Sequence, residues 1–494
     1  MYSTRNWEAA VLAGSALREV EPGEAWHVQR RWFLRRTGFG LGALALRLLG
    51  DRPVAASDSP AADPLSAKAP HFPPKARHVI YLHMVGAPSQ LDLFDYKPAL
   101  KKYDGEPCPE SVSKGRRFAF IGNNLTLAGS PFVFRRRGQC GQWISDLLPH
   151  LAEVADELAV VRSVHTEEIN HAPAQMLLHT GFGRGGRPSF GAWVVYGLGS
   201  ENDNLPAYVV LLSGPKGGAG TSLWSAGFLP SIYQGVEFRS ARDPVLFLSN
   251  PPGFSMDDRR RVLDAVAALN QHRFQSAGDP EIITRIVQYE KAFRMQMSVP
   301  ELVDLSRESP ATLKMYGVEP GRPSFAANCL LARRLVEQGV RLVELYDSDW
   351  DHHNGLATRL PAKCRDVDQA MAALIKDLKH RGLLDQTLVI WGSEFGRTPL
   401  RQGADNPKAQ PGRDHHKDAF TFWLAGGGVP GGVSVGKTDE LGFDIVEEPV
   451  HVHDLNATVL HLLGLDHERL TYRYQGREHR LTDVGGHVVQ ALVG

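Results

Sequence analysis

Six stretches of the chain are dominated by apolar residues. The first, His78 to Val85, carries Val79, Ile80, Tyr81 and Leu82. Leu158 to Val164, Ala207 to Leu212, Leu342 to Tyr346, Leu388 to Trp391 and Phe420 to Ala425 follow. Apolar runs of this length read as buried strands. Helical patterns separate them. Between Asp366 and Arg381, apolar residues recur at Val367, Ala370, Met371, Leu374, Ile375 and Leu378, the stripe of a helix packed on one side. Strand-like and helical segments in alternation predict an α/β fold with a mostly parallel central sheet.

The same pattern divides the chain. Arg30-Arg31 and the apolar, glycine-rich run Thr37 to Leu46 mark residues 1–50 as a twin-arginine export signal region, the alternative being an amphipathic helix with a basic end. Residues 51–76, rich in Pro, Ala and Ser, read as a linker. Residues 77–494 then form one domain, with the helical stretch 256–297 as an insertion or a cap over the site. The expected location is outside the cytoplasm, periplasmic or extracellular, free or tethered by an uncleaved signal, and the export machinery is an expected partner.

Composition narrows the function classes. The 494 residues are 43% hydrophobic, enough for a large core. Lys plus Arg (55) equals Asp plus Glu (55), so the electrostatic footprint of a nucleic-acid binder is missing. The four cysteines, Cys108, Cys140, Cys329 and Cys364, form no CxxC pair, which argues against a zinc ribbon.

Ligands of open α/β sheets bind beyond the carboxyl ends of the strands, so polar residues just after strand candidates matter most. Asp92 and Asp95 follow the first; His165, Asn170 and His171 the second; Asp349, Asp351, His352 and His353 the run 342–346. Glu394 and Arg397 follow Trp391, and Arg413, His415 and His416 precede the last strand. Asp349 and His353 are four residues apart, a spacing that one helical turn would place on one face. Hard oxygen with borderline nitrogen suits zinc, manganese or iron better than magnesium alone. Of two adjacent histidines on an extended segment, only one can face such an ion.

Leu384 to Gly396 (LDQTLVIWGSEFG) resembles a segment of the alkaline phosphatase and sulfatase superfamily in which Glu394 falls on a metal-binding acid. Asp349 to Gly355 resembles the D-x-x-x-H-x-G element of the same superfamily, and His415 to Gly426 its late histidine segment. As a whole the chain is similar to the family called domain of unknown function 1501, sulfatase-like proteins with twin-arginine signals. The resemblance implies a sheet with helices on both faces and one or two divalent ions, zinc, manganese or calcium, held by Asp349, His353, Glu394, His415 or His416, with Asp92 as a further candidate by position. It implies an anionic substrate, a sulfate or phosphate ester. His171 to Gly181 (HAPAQMLLHTG) keeps the proline, threonine and glycine of the sulfatase nucleophile segment, yet His171 stands in the nucleophile's place. His171 is therefore a nucleophile, a ligand or a base; Arg397 is assigned to the anion. Two main readings remain: an exported metal-dependent hydrolase, or a non-catalytic metal-binding scaffold on the same fold. A phosphotransferase is a weaker third.

Overall fold

β1 (His78–Met84) is the axis of a nine-stranded sheet whose other strands are β2 (Ala159–His165), β3 (Tyr208–Ser213), β4 (Val236–Phe238), β5 (Leu342–Asp347), β6 (Thr387–Gly392), β7 (Phe420–Ala425), β8 (Ser434–Val435) and β9 (Val450–His451). The order is β8-β2-β7-β6-β1-β5-β3-β4, with β9 also on β2. Only β7 runs antiparallel to its neighbours, β2 and β6. This computed structural model describes residues 63–122, 125–239, 245, 249–251, 253–403 and 410–494. The twin-arginine segment lies outside them. Among the described residues no helix is long and apolar enough to cross a membrane.

Alternation along β1 builds two cores. Ile80, Leu82 and Met84 enter one and Val79, Tyr81 and Val85 the other, as successive side chains of a strand point to opposite faces. The second face is covered by α1 (His171–Thr180), α2 (Phe190–Leu198) and, late in the chain, Val452–Leu462. A hairpin of α3 (Met256–Ala277) and α4 (Pro280–Val303) comes next. α5 (Phe325–Glu337) and α6 (Leu356–His380) cover the first face, and Val452–Leu462 is α7. The stripe expected within 366–381 is the core face of α6, where Val367, Ala370, Met371, Leu374, Ile375 and Leu378 are all buried.

Register sets the position of everything polar. Met84 lies beside Asp347 of β5, and His83 beside Gly392 of β6, so the segments leaving these strands emerge together at one edge. The antiparallel β7 starts at that edge, which puts the residues preceding it there too. The middle of α4 meets the opposite edge. Lys291 of α4 donates to the carbonyls of Asn202 and Leu205, which precede β3 and so mark the opposite edge. Residues read as linker are docked as well: Lys68 N–H bonds Leu198 O, and Lys75 N–H bonds Leu462 O.

Candidate functional site

Beyond β5 the backbone turns at Asp349, which has φ +75°, a left-handed conformation that short polar side chains tolerate. Its carboxylate is 69% exposed and pairs with Arg359 Nη2 at 2.7 Å. α6 begins only at Leu356, so the helical turn that would align Asp349 with His353 does not exist. Between them alternate side chains share a side, and Asp351 and His353 point together. His352 is buried, with no hydrogen-bond partner on either ring nitrogen. Asp351 thus stands where the sequence suggested Asp349.

Three imidazoles surround the Asp351 carboxylate. His353 Nε2 is 2.9 Å from Oδ1, His415 Nε2 3.6 Å from Oδ1, and His171 Nε2 3.4 Å from Oδ2. One donor atom from each of these four residues lies within 4.8 Å of the other three. His171 starts α1 after β2, and His415 comes from the two-residue pairing of His415–His416 with Gly396–Arg397. Three segments far apart in sequence meet here.

The opposite nitrogens are all anchored. His171 Nδ1–H donates to Glu394 Oε1 (2.6 Å), His353 Nδ1–H to Gln402 Oε1 (2.6 Å) and His415 Nδ1–H to the carbonyl of Ile169 (2.8 Å). Each acceptor is an oxygen, so each ring holds a hydrogen on Nδ1 and turns Nε2 to Asp351, the nitrogen that could bind an ion once free of any proton. Metal-binding histidines are oriented by such outer partners. His171 Nε2 and His415 Nε2 are moreover buried without any hydrogen bond. Three imidazoles and one carboxylate within this spacing fit a zinc-like ion, whose ligands lie about 2 Å from it, better than magnesium or calcium, which favour all-oxygen shells.

Glu394 is one layer further out. It is wholly buried, and its oxygens meet His171, the backbone N–H of Gly86 (3.0 Å), Gln175 Nε2 (3.1 Å), Ser393 Oγ (2.6 Å) and His83 Nε2 (3.3 Å). Gln175 sits one turn after His171 on α1, so a single helix face supplies both contacts. Arg397 is buried too. It donates to the carbonyls of Ala87, Gly86 and Arg413 and, at 2.5 Å, to Asp351 Oδ1. It therefore positions Asp351 and has no free edge for a substrate anion. Asp92 is taken up by Arg413 (2.7 Å) and Ser89 (2.5 Å), away from the cluster. His416 faces away, its Nε2 bonded to the Phe443 carbonyl.

The charges follow from this packing. Burial would raise the Asp351 pKa, but His171, His353, His415 and Arg397 hold it well below the usual carboxylate range. Burial likewise opposes ionisation of Glu394, and His171 and His83 overcome it. Burial pulls the His171 pKa down, yet Asp351 and Glu394 on its two sides raise it to about 9. Burial, with Arg397 and His171 nearby, lowers that of His415 although Asp351 pulls it up. On the solvent side Asp351 is 42% exposed. Phe120, 60% exposed, sets its edge against His353 (5.0 Å) and His415 (5.2 Å). Its loop is held by Asp414, whose Oδ2 accepts from the N–H groups of Phe120 and Ile121.

Residues 76–493 match the family model described as "Protein of unknown function (DUF1501)". The chain belongs to this family. No curated protein matches it. Solved structures similar to this DUF1501 chain include the PsFucS1 sulfatase from Pseudoalteromonas sp. (13% identity, TM-score 0.33, 80% of this chain and 68% of that one). They also include the alkaline phosphatase of the Antarctic bacterium TAB5 (12%, 0.30, 80% and 99%) and an alkaline phosphatase superfamily protein from Vibrio parahaemolyticus (10%, 0.34, 82% and 70%). These likenesses are remote.

Proposed function

We propose that this protein is an exported metal-dependent hydrolase of sulfate or phosphate esters. The convergence of three Nδ1-anchored imidazoles on the half-exposed Asp351 carboxylate supports this reading above all. His171, Asp351, His353 and His415 would hold one divalent ion, which when bound supplies Lewis acidity to an ester oxygen and acidifies a bound water. The chain's own groups do the rest. Glu394 fixes the His171 ring, Arg397 fixes Asp351, and the open side beside Phe120 leaves room for the ester. His171 opens a ten-residue helix whose N-cap, Asn170, makes no side-chain cap hydrogen bond, and first-turn N–H groups of this kind favour an anion.

A second reading is favoured by one observation. Both arginines that could meet an anion are consumed by carboxylates, Arg397 by Asp351 and Arg413 by Asp92. With a histidine in the nucleophile's place, that suits a metal-binding scaffold without turnover. Purified protein loaded with zinc or manganese and offered aryl sulfates and aryl phosphates separates the two. The hydrolase reading expects turnover that disappears with chelator and in His353→Ala. Metal binding with no turnover on either ester class supports the scaffold.

A further inference from the structure

Behind Glu394 lies a set of buried groups that the proposed chemistry does not use. His83 of β1, Glu344 of β5 and His179 of α1 have no exposed side-chain surface. Alternation puts His83 and Tyr81 on the same face of β1, and Glu344 and Tyr346 on the matching face of β5; α1 covers that face and brings His179 down between them. From the site inward, Glu394 Oε2 is 3.3 Å from His83 Nε2, His83 Nδ1 is 3.3 Å from His179 Nε2, and His179 Nδ1 is 3.6 Å from Glu344 Oε1. Glu344 Oε2 accepts from the hydroxyls of Tyr208 (2.6 Å) and Tyr346 (2.7 Å). Tyr81 OH lies 3.4 Å from His83 Nδ1 and Tyr346 OH 3.5 Å from His179 Nδ1. No lysine or arginine bonds either carboxylate among the described residues.

Donor and acceptor counting gives this row a direction. His83 Nε2 and Glu344 Oε1 have no hydrogen-bond partner within ordinary limits, so each depends on the neighbour it faces. An ionised Glu394 only accepts, so His83 must carry its hydrogen on Nε2. Burial lowers the His83 pKa and keeps the ring neutral, which leaves Nδ1 as a lone pair. A lone pair on His179 Nε2 would be repelled by it at 3.3 Å, so that nitrogen carries the hydrogen, and in a neutral ring His179 Nδ1 is the lone pair. That lone pair faces Glu344 Oε1. A bare carboxylate oxygen there would be repelled and would be a buried charge without a counterion. A hydrogen on Glu344 Oε1 removes both conflicts.

We propose that Glu344, His179 and His83 are positioning residues, a buried hydrogen-bond chain whose donors all point toward Glu394 and hold it as the acceptor for His171. The functional half of this inference rests on His171 being a metal ligand. The chain fills one oxygen of Glu394 with a donor from the core, so that the other stays turned to His171 Nδ1. An anionic acceptor on Nδ1 makes the Nε2 lone pair a stronger ligand.

Nitrogen-15 spectra of the histidines in the purified full-length protein, assigned with His83→Gln and His179→Gln, test the chain. Both rings are expected to carry their hydrogen on Nε2. An imidazolium, or an Nδ1–H tautomer, at either position overturns the proposal. Glu344→Gln keeps a donor toward His179 and an acceptor for both tyrosines, and is expected to preserve the two tautomers, whereas Glu344→Leu is expected to mix them. Loss of the tautomers in Glu344→Gln contradicts a hydrogen on Glu344. For the link to the site, zinc competition against a chromophoric chelator is expected to show about 10-fold weaker binding in His179→Phe. Should that variant not fold, His179→Gln takes its place. Unchanged affinity in a folded variant refutes the positioning role. A wild-type chain that binds no zinc contradicts the metal centre itself, and the tautomers then decide the chain alone.

Discussion

Two residues apart in sequence, Asp349 and Asp351 meet opposite fates, and the difference is one backbone angle. At φ +75° Asp349 turns its carboxylate to Arg359, and the non-helical segment after it brings Asp351 to three imidazoles. Asp351→Asn is expected to weaken metal binding by more than the about 10–100-fold typical of outer partners, and Asp349→Ala to change it less than about twofold. Equal losses in a competition titration would refute the assignment. His171 supplies a pH signature. Its folded pKa of about 9 lies above the ordinary value of about 6.5, so in metal-free protein its contribution to stability is complete below about pH 6.5 and lost as pH rises through 9. Metal competes with that proton, so affinity should climb up to about pH 9. In chelator, the melting temperature of wild type should therefore fall more steeply between pH 7 and 9 than that of His171→Gln. Parallel slopes would contradict the raised pKa.

At the scale of elements, six of the nine strands were legible because buried strands must be apolar almost throughout, whereas β4, β8 and β9 are only two or three residues long, and α6 was legible because its stripe repeats at the helical period. The site was legible only in part. His353, His415, His171 and Glu394 all follow or precede strands, a placement visible in the sequence. Asp351 shares that placement, but choosing it over Asp349 requires knowing that no helix forms before Leu356. His83 and Glu344 were visible as polar residues inside apolar strands, a signal that strand prediction absorbs without explanation. Arg397 misled because charge suggests an anion, whereas burial makes it a partner of the Asp351 carboxylate. Gly86 ties the elements together. With φ +108°, and a position at which a Cβ would lie 2.6 Å from the Asp351 N atom, it lets the end of β1 pass against the site loop. Gly86→Ala is expected to cost about 1–3 kcal/mol in urea denaturation and to weaken metal binding as well. A variant with wild-type stability would show that this close approach is not needed.

Across the described residues, one sheet edge collects the candidate chemistry, and Lys291 in the middle of α4 bonds backbone at the opposite edge. Under the proposed function the protein would take up its ion before leaving the cytoplasm, and a twin-arginine signal, which carries folded cargo, would suit that order. Replacing Arg30 and Arg31 by lysine is expected to retain the protein in the cytoplasmic fraction, and unchanged export would rule the signal out. The metal centre is the claim on which the rest depends. Its most direct test is X-ray absorption spectroscopy on zinc-titrated wild-type protein, with the stoichiometry measured on the same sample. One ion per chain is expected, with a first shell of three imidazole nitrogens and carboxylate oxygen at about 2.0–2.2 Å. No bound ion, or a shell of oxygens without imidazole, would contradict it.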